Sequence, residues 1–165
     1  LIYAGYNLTA PKHFIHAYEL GKEQFIIFLV TVVVTLAEDL LLGIAAGIVV
    51  KFIIELLNGV SVKSFFKAHY ATEQKEGKLI IYVKESALFS NLVGFKKLIN
   101  KKREASSIIM DFSQAKYIDH SFMSFINYLA QESDPKDFRI VGLDHHKPLS
   151  KHLLAARKLE THIHY

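Results

Sequence analysis

The sequence predicts a pair of membrane helices over residues 1–60 followed by an α/β domain over residues 61–165. Three observations carry that prediction. Phe25 to Val50 is predominantly apolar and uncharged except at Glu38 and Asp39, and the apolar character continues to Leu57 past a single lysine and a single glutamate. From Ser61 onward the apolar residues fall into short runs that alternate between strand and helix periodicity, the pattern of an α/β domain with right-handed crossovers. Charge divides at the same place. Lys and Arg against Asp and Glu number 3 to 5 up to Val60 and 17 to 11 from Ser61, so the net +4 is −2 and +6.

Leu1 to Tyr6 reads as the end of a preceding transmembrane helix. Pro11, after Thr9, suits the first turn of a new helix, and His13 to Leu20 then forms a short amphipathic surface helix closed by Gly21. The two uncharged runs that follow, Phe25 to Ala37 and Leu40 to Val50, are each shorter than the roughly 20 residues of a perpendicular span. In one arrangement a single helix of about 33 residues carries Glu38 and Asp39 at mid-membrane, at about 2.5 to 3.5 kcal/mol per charge. In the other the chain turns at Glu38-Asp39, and Asp39 caps the returning helix at the positive end of its dipole. The hairpin is favoured. Lys12 and Lys22 precede the segment and Lys51, Lys63 and Lys67 follow its apolar centre, so the positive-inside rule puts both flanks in the cytoplasm. Helices this short are expected to lie within a larger bundle. Gly43 and Gly47 form a GxxxG spacing suited to close helix packing. Thr31 and Thr35 are expected to bond back to their own helix carbonyls. Asn58-Gly59 ends the second helix.

The remaining hundred or so residues are enough to bury a core. Glu73 to Lys78 reads as a charged turn before a strand at Leu79 to Val83. Asn91 to Lys102 has Leu92, Phe95, Leu98 and Ile99 at helical spacing. Ser107 to Phe112 is a wholly apolar run up to its aspartate and reads as a strand buried on both faces, ending at Asp111. A short loop then leads to Asp119, the natural N-cap of a helix over Ser121 to Gln131 with Phe122, Phe125, Ile126 and Leu129 inward. A further strand spans Phe138 to Leu143, between Asp137 and Asp144, and a last helix spans Leu149 to Leu159.

Asp111, Ser113, Asp119, His120 and Ser121 mark a strand-to-helix loop that either caps itself or faces a partner or a phosphate. Acid–base catalysis by Asp111, Asp119 and His120 is not expected, because no nucleophile elbow, glycine-rich phosphate loop or metal spacing accompanies them. No enzymatic activity and no cofactor are expected. His145, His146 and His152 are expected on a solvated face and not around a metal, and His162 and His164 read as a strand end or a tail. The absence of cysteine excludes disulfides and thiol chemistry. The basic balance suits an anionic membrane leaflet. It does not suggest nucleic acid, since only Lys96-Lys97 and Lys101-Lys102-Arg103 cluster.

The succession of AGYNLTAPKHF, QFIIFLVTVVVTLAEDLLLGIAAGIVVKFI, IIMDFSQAKYIDHSF and RIVGLDHHKPLSKH resembles the C-terminal end of a SulP-family (sulfate permease) anion transporter. The resemblance implies the last helices of a transport unit built from two inverted seven-helix repeats. It also implies a cytoplasmic STAS domain with a four-stranded sheet and flanking helices. Expected partners are membrane lipid, the remainder of the transporter, a second copy in a homodimer and a cytoplasmic protein docking on the STAS domain. The expected location is a bacterial inner or plasma membrane. The first residue is Leu and no signal pattern is present, so the chain is expected to be a piece of a longer protein with its anion site upstream. Bacterial anti-sigma-factor antagonists, which share the STAS fold, read Asp-Ser-Ser-Gly at the loop, and the serine directly after the aspartate accepts phosphate. Here His120 and Phe122 replace that serine and the glycine, while Ser121 remains one place later. A membrane-tethered interaction module without transport is the alternative.

Overall fold

The computed structural model describes residues 11–101, 107–132 and 138–160. Readings that involve Leu1 to Tyr6, Thr9, Lys102-Arg103, Asp137, His162 and His164 lie outside the described residues. The chain divides into two compact units. One holds the helices up to Gly59 together with Ser150–Ala155, and the other holds Val60–Leu149 with Ala156–Tyr165.

The first unit comprises α1 (Pro11–Leu20), α2 (Lys22–Ala37) and α3 (Leu40–Leu57). Gly21 links α1 to α2 at φ 135, a backbone conformation that strains any residue with a Cβ. Phe14 of α1 meets Phe28 of α2 edge to face at 4.9 Å. The chain turns at Glu38-Asp39, and α2 and α3 pack along each other. Asp39 Oδ1 accepts the Leu42 N–H at 2.8 Å and thereby caps α3.

Where the helices touch, their surfaces are small: Val32, Gly43 and Gly47 are buried. A Cβ at Gly43 would overlap Thr35 Oγ1, and one at Gly47 would overlap Thr31 Oγ1, so the two glycines are what allow α2 to approach. Thr31 Oγ1 donates to the Ile27 carbonyl at 2.8 Å, as its spacing suggests, whereas the buried Thr35 Oγ1 makes no such bond. At the open end Asn58 Nδ2 donates to Glu23 Oε1 at 2.8 Å, and Lys51 lies 3.5 Å from the buried Glu55 carboxylate. Away from the contact the side chains are apolar and exposed, among them Val33, Leu36, Leu41, Ile48, Ile53 and Leu57. Among the described residues one helix, Leu40–Leu57, is long and apolar enough to cross a membrane. Its 18 residues rise about 27 Å. The 16 residues of α2 rise about 24 Å, short of a hydrocarbon core of about 30 Å.

The second unit is an α/β fold. In chain order it runs α4 (Val62–Phe66), β1 (Tyr70–Lys75), β2 (Lys78–Ala87), a 3-10 turn (Phe89–Asn91), α5 (Leu92–Lys101) and β3 (Ser107–Ile118). Then follow α6 (His120–Glu132), β4 (Phe138–Val141), a 3-10 turn (Leu143–His145), β5 (His146–Pro148) and β6 (Arg157–Leu159). The sheet is mixed, in the order β1-β2-β3-β6-β5, with β4 also paired to β3. β2, β3 and β4 are parallel, and the other pairings are antiparallel.

The expected charged turn is narrower than its charges suggest. Glu73 to Lys75 belong to β1, and only Glu76 (φ 51) and Gly77 (φ 77) turn the chain, both left-handed as a tight hairpin requires. Leu79, Ile81 and Val83 alternate inward along β2 against Phe95 and Ile99 of α5 and Phe122, Met123 and Ile126 of α6. Phe122 is central, 5.0 Å from the Phe95 ring, 6.0 Å from Phe112 and 5.9 Å from Phe125, all edge to face. Full burial of each such ring contributes about 1.5 to 3 kcal/mol.

The sheet has six strands, not the four that the resemblance implies. β3 is not buried on both faces, since Met110 and Phe112 are buried while Ile109 and Asp111 are half-exposed. No helix forms over Leu149 to Leu159. Leu153 is 69 % exposed while Ala155 and Ala156 are buried, and Arg157–Leu159 pairs with β3 and β5 instead.

Candidate functional site at the junction of β3 and α6

β3 does not end at Asp111. It continues to Ile118, past register shifts opposite Val83 and between Glu85 and Ser86. The first shift places one extra residue in β3 at Phe112-Ser113 and the second one at Lys116, so β3 bends at each as a bulged strand does. Glu85, opposite the second shift, has φ 59, and its carboxylate takes the Lys116 ammonium at 2.8 Å.

The expected site residues therefore divide into two groups, separated by roughly 25 Å of extended chain. Asp111 and Ser113 sit at the first bulge. Asp111 Oδ1 accepts both the Ser113 N–H at 2.8 Å and its hydroxyl at 2.6 Å. Gly142, at φ 80 just past the end of β4, lies against them, and a Cβ there would overlap the Ser113 amide. Asp119, His120 and Ser121 sit at the far end of β3. Asp111 and Asp119 thus do not form a carboxylate pair for acid–base work.

Asp119 is 1 % exposed and all its polar groups face inward. Oδ1 accepts the Phe122 N–H at 2.6 Å, which makes it the N-cap of α6. Oδ2 accepts the Phe89 N–H at 2.8 Å, and its own N–H donates to the Ala87 carbonyl at 2.9 Å. One carboxylate thus fixes the start of α6 to the chain leaving β2. His120 and Ser121 follow as the first two residues of α6, both half-buried. Ser121 consequently lies in the first helical turn, where unpaired N–H groups and the positive dipole end favour an acceptor.

His146 was expected on a solvated face and is instead 4 % exposed. β4 pairs with β3 at Ile108 to Asp111, and β6 pairs with it at Tyr117-Ile118. The His146 ring lies against the stretch between these pairings, with Nε2 2.7 Å from the Ala115 carbonyl and Nδ1 3.0 Å from the Gly142 carbonyl. Its Nε2 thus meets a β3 carbonyl in the stretch that pairs with neither β4 nor β6. His145 remains exposed beside Asp144, and no group of three or more His, Cys, Asp or Glu among the described residues could hold a metal.

No family model and no curated protein matches the chain. Among solved structures it is similar to the murine Solute Carrier 26 family member A9 (Slc26a9) anion transporter in the inward-facing state, at 15 % identity and a TM-score of 0.34. The likeness covers 80 % of this chain and 24 % of that one, so the chain spans about a quarter of that transporter's length.

Proposed function

We propose that the chain is the C-terminal part of a membrane anion transporter of the SulP kind, in which a helical hairpin ends the transport unit and a cytoplasmic STAS domain follows. The observation that carries this is the nature of the first unit. Its helices contact each other through glycine and threonine and turn apolar side chains outward, an arrangement suited to lipid or to neighbouring helices and unsuited to water. The α/β unit that follows supports the STAS reading through its parallel β2-β3-β4 core and its capped strand-to-helix junction. In this reading His120 and Ser121 present a surface to a protein partner, and regulation runs through contact there. The serine-phosphate switch of the antagonists has no counterpart at His120, whose imidazole forms no stable phosphoester.

The test is anion flux. The complete protein reconstituted in proteoliposomes should take up at least one of sulfate, bicarbonate or a dicarboxylate, and Gly43→Leu should abolish that uptake. An inserted protein that moves none of these would favour the tethered interaction module.

A further inference from the structure

We infer that α4 is a membrane-contacting foot, seated in the headgroup layer of a bilayer that contains anionic lipid. This rests on the reading of α3 as a membrane helix. α4 holds one side inward: Ser64 and Phe65 are buried, and Asn91 Nδ2 donates to the Ser64 carbonyl at 2.8 Å and to the Ser86 carbonyl at 2.9 Å. With that side fixed, the opposite side of α4 presents the i, i+4 pair Val62 and Phe66 beside Lys63, and Lys67 follows directly as the C-cap residue. Val62 and Phe66 are apolar and 60 % and 84 % exposed; Lys63 and Lys67 are exposed cations with no carboxylate partner among the described residues.

Such a pairing of an apolar edge with basic side chains suits the bilayer interface, where the ring enters the acyl boundary and the lysines extend to lipid phosphates. Chain length makes that occupant the reachable one. Leu57 ends α3 and Val62 begins α4, so their Cα atoms are at most about 18 Å apart. The headgroup layers together add only about 10 to 15 Å to a hydrocarbon core of about 30 Å, so the tether keeps α4 close to the layer it would enter. A protein partner would have to fit an exposed phenylalanine flanked by two cations so close to the membrane, and the lipid surface meets both demands.

Residues 1–165 contain no tryptophan, so once any tryptophan elsewhere in the full-length protein has been replaced by phenylalanine, introduced indoles report one site each. Two full-length variants, Phe66→Trp and Ile48→Trp, would be reconstituted in vesicles of phosphatidylcholine and phosphatidylserine at about 3:1. The lipids would be brominated either near the headgroup or deep in the acyl chain. The indole at position 66 should be quenched by the shallow bromines, and the added reversals Lys63→Glu and Lys67→Glu should remove about half of that quenching or more. The indole at position 48 should be quenched by the deep bromines. If position 48 is quenched and position 66 is not, the foot is wrong and the membrane helix stands. If position 48 is not quenched, the membrane reading fails and the foot with it. Quenching at position 66 that the charge reversals leave unchanged overturns the anionic-surface assignment.

Discussion

Asp119 joins three elements through single atoms. Its Oδ1 caps α6 and its Oδ2 holds the amide that follows β2, so Asp119→Ala removes a helix cap and leaves the Phe89 N–H without its acceptor. The first loss costs about 1 kcal/mol and the second about 1 to 3, so the α/β unit should lose roughly 2 to 4 kcal/mol. Chemical denaturation of residues 60–165, whose closed core predicts independent folding, measures this; a loss below about 1 kcal/mol would show that the junction holds without Asp119. Tyr82 offers a second test. Its phenol donates to Glu73 Oε2 across the β1-β2 hairpin at 3.0 Å, and that bond, with some burial and the negative charge nearby, raises its pKa above the usual 10.0. A raised pKa means that the neutral phenol is favoured by folding. The contribution is therefore complete at neutral pH and lost as pH rises through the folded-state value above 10.0. Titration followed at the tyrosine Cζ by NMR should show this shift, and Glu73→Gln should return the midpoint toward the ordinary value. Asp119 as a cap was legible in the sequence because an aspartate stood directly before a helical period. The burial of His146 was not, since it depends on the Ala115 and Gly142 carbonyls, which only the folded sheet brings to it.

At the scale of elements, the hairpin was readable because two adjacent charges interrupt an otherwise uncharged and mainly apolar run. β3 was not readable beyond Asp111. Ser113, Gln114 and Lys116 are polar and exposed, and two bulges shift the inward positions to Ala115, Tyr117 and Ile118, so the alternation that marks a strand is broken. The terminal segment misled for the opposite reason: its leucines have helical spacing, yet Arg157–Leu159 is taken up as a strand between β3 and β5. The hairpin contact yields a geometric prediction. A Cβ at position 47 would lie 3.4 Å from Thr31 Cβ, close to the separation that a disulfide bridges, so Thr31→Cys with Gly47→Cys should form an intrahairpin disulfide under mild oxidation. Adding Gly43→Leu places four carbons where Thr35 lies, at a cost of about 1 to 3 kcal/mol, and should sharply lower the yield of that bond. Equal yields with and without Gly43→Leu would mean that α2 and α3 do not depend on the glycines for their approach.

For the whole molecule, the sign of charge and the distribution of apolar surface describe one division of labour. Up to Val60 the chain is net negative and presents apolar helices; from Ser61 it is net positive and closes a core around Phe95, Phe112 and Phe122. A hairpin inserted from one side requires its two flanks to share a compartment and its turn to lie across the bilayer or within it. Residues 1–165 hold no cysteine, so with any cysteine elsewhere in the complete protein replaced by serine, single cysteines at Lys12, Asp39 and Lys63 can be probed without background. The decisive measurement is their labelling by a membrane-impermeant thiol reagent, in intact cells and after permeabilisation, in the complete protein. The account predicts that Lys12→Cys and Lys63→Cys are both protected in intact cells and both labelled after permeabilisation. Labelling of one of them from outside and the other only from inside would contradict it.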